Sequence, residues 1–316
     1  MGSGDHKKIL IIKHGALGDI IQGLDAFASV RQGNVSAHIG IMTTPAFVSL
    51  MRGMPWFDEV IIDPRASIFR LKSSLYIRRQ IRRDWTCVID MQCSRRTNRY
   101  HQFYSRKGTR WIGTAQNCSD PLPDFTGVNN RDRMIFSAKC ANGIETNADL
   151  SWLVGDGQDF DANSLDIPKK KFVVFVSGCS PHRPEKRWSA NHFAIVGKFF
   201  ISLGYDVVLV GTLADESTVS EIMEHLPSAS NLCGKTSIQQ LTTLCAKSEL
   251  VVGNDTGPIF LAAKTGTRTL VLMGPATIPD AMRPVQDNSF WLHESDINAI
   301  TPDQVIHKIK SMMGLN

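Results

Sequence analysis

After a polar start the chain runs Ile9-Leu10-Ile11-Ile12, with Lys7-Lys8 before it and Lys13-His14 after it. Four apolar residues in a row, closed by charge on both sides, read as a strand buried on both faces, the habit of a parallel sheet. A glycine-containing turn over His14–Asp19 follows. The apolar spacing from Ile20 to Arg31 then predicts an amphipathic helix. Further strand-sized runs stand at Ala37–Met42, Glu59–Ile62, Thr86–Asp90 and Thr109–Ile112, with a helical stretch at Leu71–Arg83. From Gln116 to Val128 the chain is rich in Pro, Asp and Asn and reads as an irregular loop.

The pattern is interrupted at Leu153–Lys171, where Gly155, Gly157, several aspartates, Pro168 and three lysines make the best linker. Beyond it the alternation begins again. Strands are predicted at Phe172–Val176, Asp206–Val210, Leu250–Val252 and Thr269–Met273. Helices are predicted at Asn191–Leu203, Asp215–His225, Ser237–Lys247, after Pro258, and at Pro302–Met313. Two βα series separated by a linker predict an α/β protein of two doubly wound, Rossmann-like domains, 1–160 and 161–316. Ligands are expected in a cleft between the two.

Composition narrows the class. The 316 residues are 42% apolar and 21% charged, enough apolar material for ordinary cores and no sign of disorder. The longest apolar runs are strand-sized, far below the ~20 residues of a membrane helix, and no secretory signal is visible. Met1–Gly4 reads as an expression remnant. The seven cysteines are odd in number and form no C-x-x-C pair, which argues against a disulfide framework and a zinc site and for a reducing cytosol.

Charge changes the picture more. The net value is +5, yet residues 65–110 hold thirteen Lys and Arg, among them Arg65, Arg70, Arg95 and Arg96, against only Asp84 and Asp90. That segment carries +11 and the rest of the chain −6. Such a cluster suits an anion-facing surface for nucleic acid, anionic lipid, or a substrate rich in carboxylate and phosphate. A solvated helix face is the plainer reading of any one arginine in it.

Several chemical motifs are excluded. No G-x-G-x-x-G follows a strand, and Gly234-Lys235-Thr236 fails as a P-loop because Ala229 stands where the earlier glycine is required. Ser237 with Gln240 reads instead as a capping box. There is no H-E-x-x-H, EF-hand loop or G-x-S-x-G elbow. No metal site is expected.

Three loops remain, each between a strand and a helix. In Lys13-His14-Gly15-Ala16-Leu17-Gly18-Asp19 the carboxylate of Asp19 falls at the start of the helix. It suits a general base on a hydroxyl, or equally a cap for that helix. Ser177-Gly178-Cys179-Ser180-Pro181-His182-Arg183-Pro184-Glu185-Lys186-Arg187-Trp188 combines small residues with three cations. It suits phosphate, or is an exposed cationic loop with Trp188 as a packing anchor. In Gly253-Asn254-Asp255-Thr256-Gly257-Pro258 the glycine permits close backbone approach and the proline suits a helix start. The free amides there suit a diphosphate, with a plain capped helix as the alternative.

Taken together these segments resemble glycosyltransferase family 9, the heptosyltransferases of lipopolysaccharide core assembly. The resemblance rests on Ile9–Ile12 leading into Gly15-Ala16-Leu17-Gly18-Asp19-Ile20, on Lys186-Arg187-Trp188, and on Asn254-Asp255-Thr256-Gly257-Pro258 with Leu261-Ala262-Ala263. Gly266-Thr267 and Val271-Leu272-Met273-Gly274-Pro275 continue it. It implies a GT-B architecture with the acceptor on the N-terminal domain and the nucleotide-sugar donor on the C-terminal one. It also implies inverting, metal-independent transfer with no cofactor beyond the ADP-sugar co-substrate.

By that resemblance Asp19 is the catalytic base. Lys186, Arg183, Arg187, Asp255, Thr256 and Gly257 face the donor, and Glu216 or its neighbour Asp215 the nucleoside ribose. Gly18, Arg65, Arg95 and Arg96 are the expected acceptor contacts. The implied partners are a nucleotide sugar, an anionic glycolipid and the inner face of the membrane, touched peripherally, and not nucleic acid. One position departs: two residues past Pro258 the family commonly has His, and here stands Phe260. The competing readings are a transferase with another donor or a protein acceptor, a nucleotide-sugar epimerase, and a non-enzymatic polyanion binder.

Overall fold

Where apolar runs recur without alternation, both faces of a strand must be covered, and helices on each side of a parallel sheet do this. The computed structural model describes residues 7–65, 71–154, 167–275 and 277–315. Its contacts divide the chain between Trp152 and Leu153. The linker glycines Gly155 and Gly157 lie outside the described residues.

The first unit carries β1 (Lys8–Ile12), β2 (His38–Thr43), β3 (Glu59–Ile62), β4 (Cys87–Asp90), β5 (Arg110–Gly113) and β6 (Asp120–Pro121). All pair in parallel, in the order β3-β2-β1-β4-β5-β6. Its helices are α1 (Leu17–Gln22), α2 (Leu24–Gly33), α3 (Val48–Gly53), α4 (Leu71–Ile81), α5 (Arg95–Tyr104) and α6 (Asn130–Cys140), and α7 (Ser151–Val154) lies at the division. Ile9, Leu10, Ile11 and Ile12 are fully buried. On one face Leu10 and Ile12 pack with Ile77 and Ile81 of α4, Trp85, and Tyr100 of α5.

Two details differ from the sequence expectation. The helix predicted over Ile20–Arg31 is two helices, α1 and α2, broken at Gly23, the residue with the lowest helix propensity in that stretch. Within the predicted loop 116–128 the edge strand β6 pairs with β5. It is two residues long and contains Pro121, which has no N–H for a ladder.

The second unit carries β7 (Phe172–Val176), β8 (Asp206–Val210), β9 (Ser230–Asn231), β10 (Leu250–Asn254), β11 (Thr269–Met273) and β12 (Ser289–His293). They are again all parallel, in the order β12-β11-β10-β7-β8-β9. Its helices are α8 (Ala190–Ser202), α9 (Glu216–His225), α10 (Ile238–Lys247), α11 (Gly257–Lys264), α12 (Pro279–Met282) and α13 (Pro302–Met313). Ser237 and Gln240 form the expected capping box on α10. The last helix sends Val305 and Ile309 into its own unit's core beside Phe193, Val196 and Phe200 of α8.

Each unit thus places its first strand beside its fourth, and the winding reverses between them. In open α/β sheets the carboxyl ends of the strands at that reversal are where ligands bind. Here they carry the three loops singled out above. Among the described residues no helix is long and apolar enough to cross a membrane.

Candidate functional site

In the first unit the loop from β1 into α1 turns at Gly15, whose φ is +129°. A side chain there would meet the ring of Phe47, with a Cβ only 2.4 Å from its Cε2. Asp19 is the third residue of α1, half-buried, and both its oxygens are engaged. Oδ2 accepts from the backbone N–H of Ala16 at 3.2 Å, and Oδ1 accepts from Asn130 Nδ2 at 2.9 Å. Arg133 in turn donates to Asn130 Oδ1 at 2.6 Å. These bonds make Asp19 a cap of α1 and do not exhaust its acceptor capacity. It closes the first turn of α1, and its carboxylate is oriented by a residue from α6 while keeping further lone pairs and solvent access.

Around that carboxylate lies a set of buried ionisable groups. Lys13, at the end of β1, is 1% exposed, and burial pushes its ammonium below its ordinary pKa while Asp19 pulls the other way. Its Nζ reaches the carbonyl of Met91 at 3.4 Å. Asp90, opposite Ile12 at the end of β4, is wholly buried and its carboxyl is pushed up by desolvation. His14 Nε2 lies 2.9 Å from Asp63 Oδ2, both side chains 1% exposed. Burial works to raise the Asp63 carboxyl, but the adjacent His14 ring and the hydrogen bond from Tyr100 outweigh it and hold the group below the usual range.

Tyr100 donates to Asp63 at 2.6 Å and accepts from Arg96 at 3.2 Å. Arg96 also donates to the carbonyl of Arg65, and the Arg65 N–H donates to Asp63. Of the expected acceptor contacts, Arg96 is thus half-buried and ties Arg65 into this network, while Arg65 and Arg95 are exposed. Gly18 lies in the first turn of α1 beside Asp19. Arg70 lies outside the described residues.

In the second unit the loops after β7 and β10 meet. Lys186 Nζ sits 2.5 Å from Asp255 Oδ2, with Lys186 16% and Asp255 5% exposed. The same oxygen accepts from Thr277 Oγ1 at 2.7 Å. Asn254 bridges the two loops: its Oδ1 accepts from Trp188 N, and its Nδ2 donates to the carbonyls of Ser177 and Gly178. Trp188 is fully buried, and its Nε1 donates to Ile300 O at 2.8 Å. Thr256 is the extended N-cap of α11, with Gly257 the first helical residue; both are half-buried. The N–H of Gly257, as the first of α11, has no acceptor within its own helix.

The other donor candidates divide. Asp215 is buried and accepts from Thr212 N, Thr212 Oγ1 and Cys179 N, and Arg187 approaches it at 3.6 Å. It braces the two loops, and Gly178 is small because a Cβ would stand 2.3 Å from the Asp215 carboxyl carbon. Glu216 is exposed at the start of α9. Arg183 is exposed and paired with Glu185. Phe260 is 6% exposed on α11, a packed side chain where the family's His would stand. Among the described residues no three His, Cys, Asp or Glu side chains gather as metal ligands.

Sequence reading missed Asn130, Arg133, Asp63, Tyr100 and Thr277. Asn130 is 111 residues from Asp19, and no local spacing announces such a bond. Asp63 carried one signal, a carboxylate directly after the strand run Glu59–Ile62, at the carboxyl edge where ligands bind.

The sequence profile of glycosyltransferase family 9 (heptosyltransferase) matches residues 121–309. The chain belongs to glycosyltransferase family 9. A curated member, lipooligosaccharide heptosyltransferase 2 of Haemophilus influenzae, is 30% identical over 179 residues, covering 49% of this chain and 51% of the relative. The chain spans about half the length of the first curated relatives it matches. A solved family member from Veillonella parvula superposes with a TM-score of 0.80 at 20% identity, covering 99% of this chain and 98% of that one. The Escherichia coli ADP-heptose lps heptosyltransferase II gives 0.77 at 21% identity, covering 97% and 98%. These likenesses carry the GT-B fold. What the family members act on bears on this chain only as a proposal.

Proposed function

We propose that the chain is an inverting, metal-independent heptosyltransferase, taking heptose from ADP-heptose to a hydroxyl of a lipopolysaccharide inner-core acceptor on the cytoplasmic side of the membrane. The observation that carries this reading is the pairing of loop chemistries at equivalent places in the two sheets. One has a held, accessible carboxylate, Asp19; the other has a carboxylate-held lysine, Lys186, beside a helix N-terminus. Family membership and the names of its relatives support the choice of donor and acceptor.

The chemistry follows from those groups. The acceptor hydroxyl attacks the anomeric carbon as its proton passes to Asp19, and the bond from that carbon to the diphosphate oxygen breaks with inversion. Negative charge grows on the departing ADP. Lys186 and the amides of Gly257 and its neighbours meet it, and fixed donors of this kind lower a barrier by roughly 3 kcal/mol each. Asp255 and Thr277 hold Lys186 in place, and Thr256 and Gly257 shape the diphosphate seat. Exposed Arg65 and Arg95 meet acceptor carboxylates or phosphates.

The test is transfer from ADP-heptose to a delipidated inner-core acceptor, followed by mass spectrometry, with UDP- and GDP-sugars and an EDTA arm alongside. Product with ADP-heptose that survives EDTA supports the reading. Activity only with another nucleotide, activity restored only by metal, or donor epimerised without acceptor would each overturn its corresponding part.

A further inference from the structure

The basic segment contains more cations than an acceptor site uses, and α4 arranges several of them with apolar residues on one exposed face. Ile77 and Ile81 anchor the helix to the sheet. On the opposite side Leu71, Leu75, Arg78, Arg79 and Arg82 follow at spacings of four, three, one and three, so that they fall in a single stripe. The helical bonding reaches Arg82, whose N–H donates to Arg78 O at 2.9 Å. Leu71 is 75% and Leu75 60% exposed, with Lys72 and Tyr76 flanking them, also exposed.

A soluble helix normally shows water its polar residues, and two leucines at this exposure on one stripe invert that rule. The charge is equally one-sided. Among the described residues Lys72, Arg78, Arg79 and Arg82 form no ion pair, α4 contains no acidic residue, and nearby Asp84 is taken by Lys8. On neighbouring α5 and just after it Arg99, Arg106 and Lys107 are likewise exposed and unpaired, with Phe103 exposed among them at 62%. Unpaired arginines beside exposed aliphatic and aromatic side chains complement a surface of anionic headgroups over hydrocarbon.

We propose that the outer face of α4 is a docking surface for an anionic phospholipid bilayer, Leu71 and Leu75 entering the headgroup boundary while Arg78, Arg79 and Arg82 contact lipid phosphates. This rests on the acceptor being a membrane glycolipid, and gives that contact a surface apart from the acceptor residues Arg65 and Arg95. Parallel β3 ends at the same sheet edge as β1, and α4 starts from that edge. The leucine end of the helix is therefore the end nearest the Asp19 loop, where a lipid-borne acceptor has to arrive.

The experiment is co-sedimentation of the full chain with acceptor-free vesicles, either phosphatidylcholine alone or with about one third phosphatidylglycerol, with transfer to a soluble delipidated acceptor measured in parallel. Binding is expected on the anionic vesicles only, weakening as salt is raised. Arg78→Gln/Arg79→Gln/Arg82→Gln should reduce it roughly 100-fold and Leu71→Ser/Leu75→Ser roughly tenfold. The leucine variant should keep wild-type turnover on the soluble acceptor. Equal binding to both vesicle types, no binding to either, unchanged binding in both variants, or tighter binding to duplex DNA than to anionic vesicles would overturn the proposal. Because the vesicles carry no acceptor, loss of transfer with vesicle binding intact would count against the heptosyltransferase reading and leave the docking surface standing.

Discussion

The two units are wound alike and loaded differently. Both sheets place the first strand beside the fourth, and both bring the loops that follow those strands together at the carboxyl edge. In the first unit these loops gather ionisable groups that are mostly sealed from water: Lys13, His14 with Asp63, and Asp90, with Asp19 alone among the carboxylates kept accessible. In the second the equivalent loops hold one lysine against one aspartate beside a helix start. Topology thus decides where chemistry is placed, and a handful of side chains decides which chemistry it is. If the first unit supplies the base, Asp19→Asn should lower kcat by roughly 10²–10⁴ while donor affinity is kept. Steady-state kinetics with a donor titration decides this, and near-normal turnover would remove Asp19 from that role.

The sealed groups should distinguish the units by pH as well. The Asp63 carboxyl titrates below its unfolded value, so its contribution to stability is complete above about pH 4 and is lost as pH falls through the folded value. Asp63→Asn should cost about 2 kcal/mol at neutral pH, since it replaces the carboxylate that takes the Tyr100 hydroxyl and lies against the buried His14 ring. The gap to wild type should then narrow as pH falls below about 4. Chemical denaturation across that range measures it. A constant gap would mean that packing, and not charge, is what Asp63 supplies.

How much of this was legible beforehand follows the range of each interaction. β3, β7, β8 and β11 begin and end where their apolar runs do, because a strand buried on both faces is a local pattern. The three loops were legible because they directly follow such runs. Gly23, by contrast, splits a helix whose apolar spacing runs straight through it. Helix α6 was hidden because its buried stripe of Met134, Ile135, Ser137 and Ala138 is short, follows Arg131-Asp132-Arg133 and includes a serine, while its aromatic residue Phe136 is exposed. The site was legible as single residues and not as partnerships. Asp255 read as a donor ligand, yet its carboxylate is buried against Lys186 and Thr277, contacts that only the fold brings together. Asp215 was an equal candidate with Glu216, and only the fold separates a buried brace from an exposed side chain.

The second unit's lysine is expected to matter less than the first unit's base. A charge-assisted contact to phosphate is worth about 1.5–3 kcal/mol, so Lys186→Met should weaken donor binding and slow transfer by roughly 10–100-fold together. Isothermal titration with ADP and single-turnover rates would show both. Donor affinity unchanged beside a slower chemical step would assign Lys186 to the leaving group's developing charge alone.

The smallest effect bears most directly on how the units differ. Asp255 is held by a charge, whereas Asp19 is held by the neutral amides of Asn130 and Ala16. A neutral donor orients a carboxylate without the loss of basicity that a directly bonded cation brings, which is what a base requires and a structural brace does not. Asn130→Ala removes the side-chain half of that grip, while the Ala16 N–H still closes the turn, so α1 should persist and the carboxylate should gain rotamer freedom. The loss of one such hydrogen bond predicts kcat lower by about tenfold, with KM for the donor unchanged. Thermal denaturation within a few degrees of wild type should accompany it. If kcat holds while stability falls, Asn130 serves the fold of α6 against α1, and the contrast between a neutral and a charged grip has no catalytic meaning.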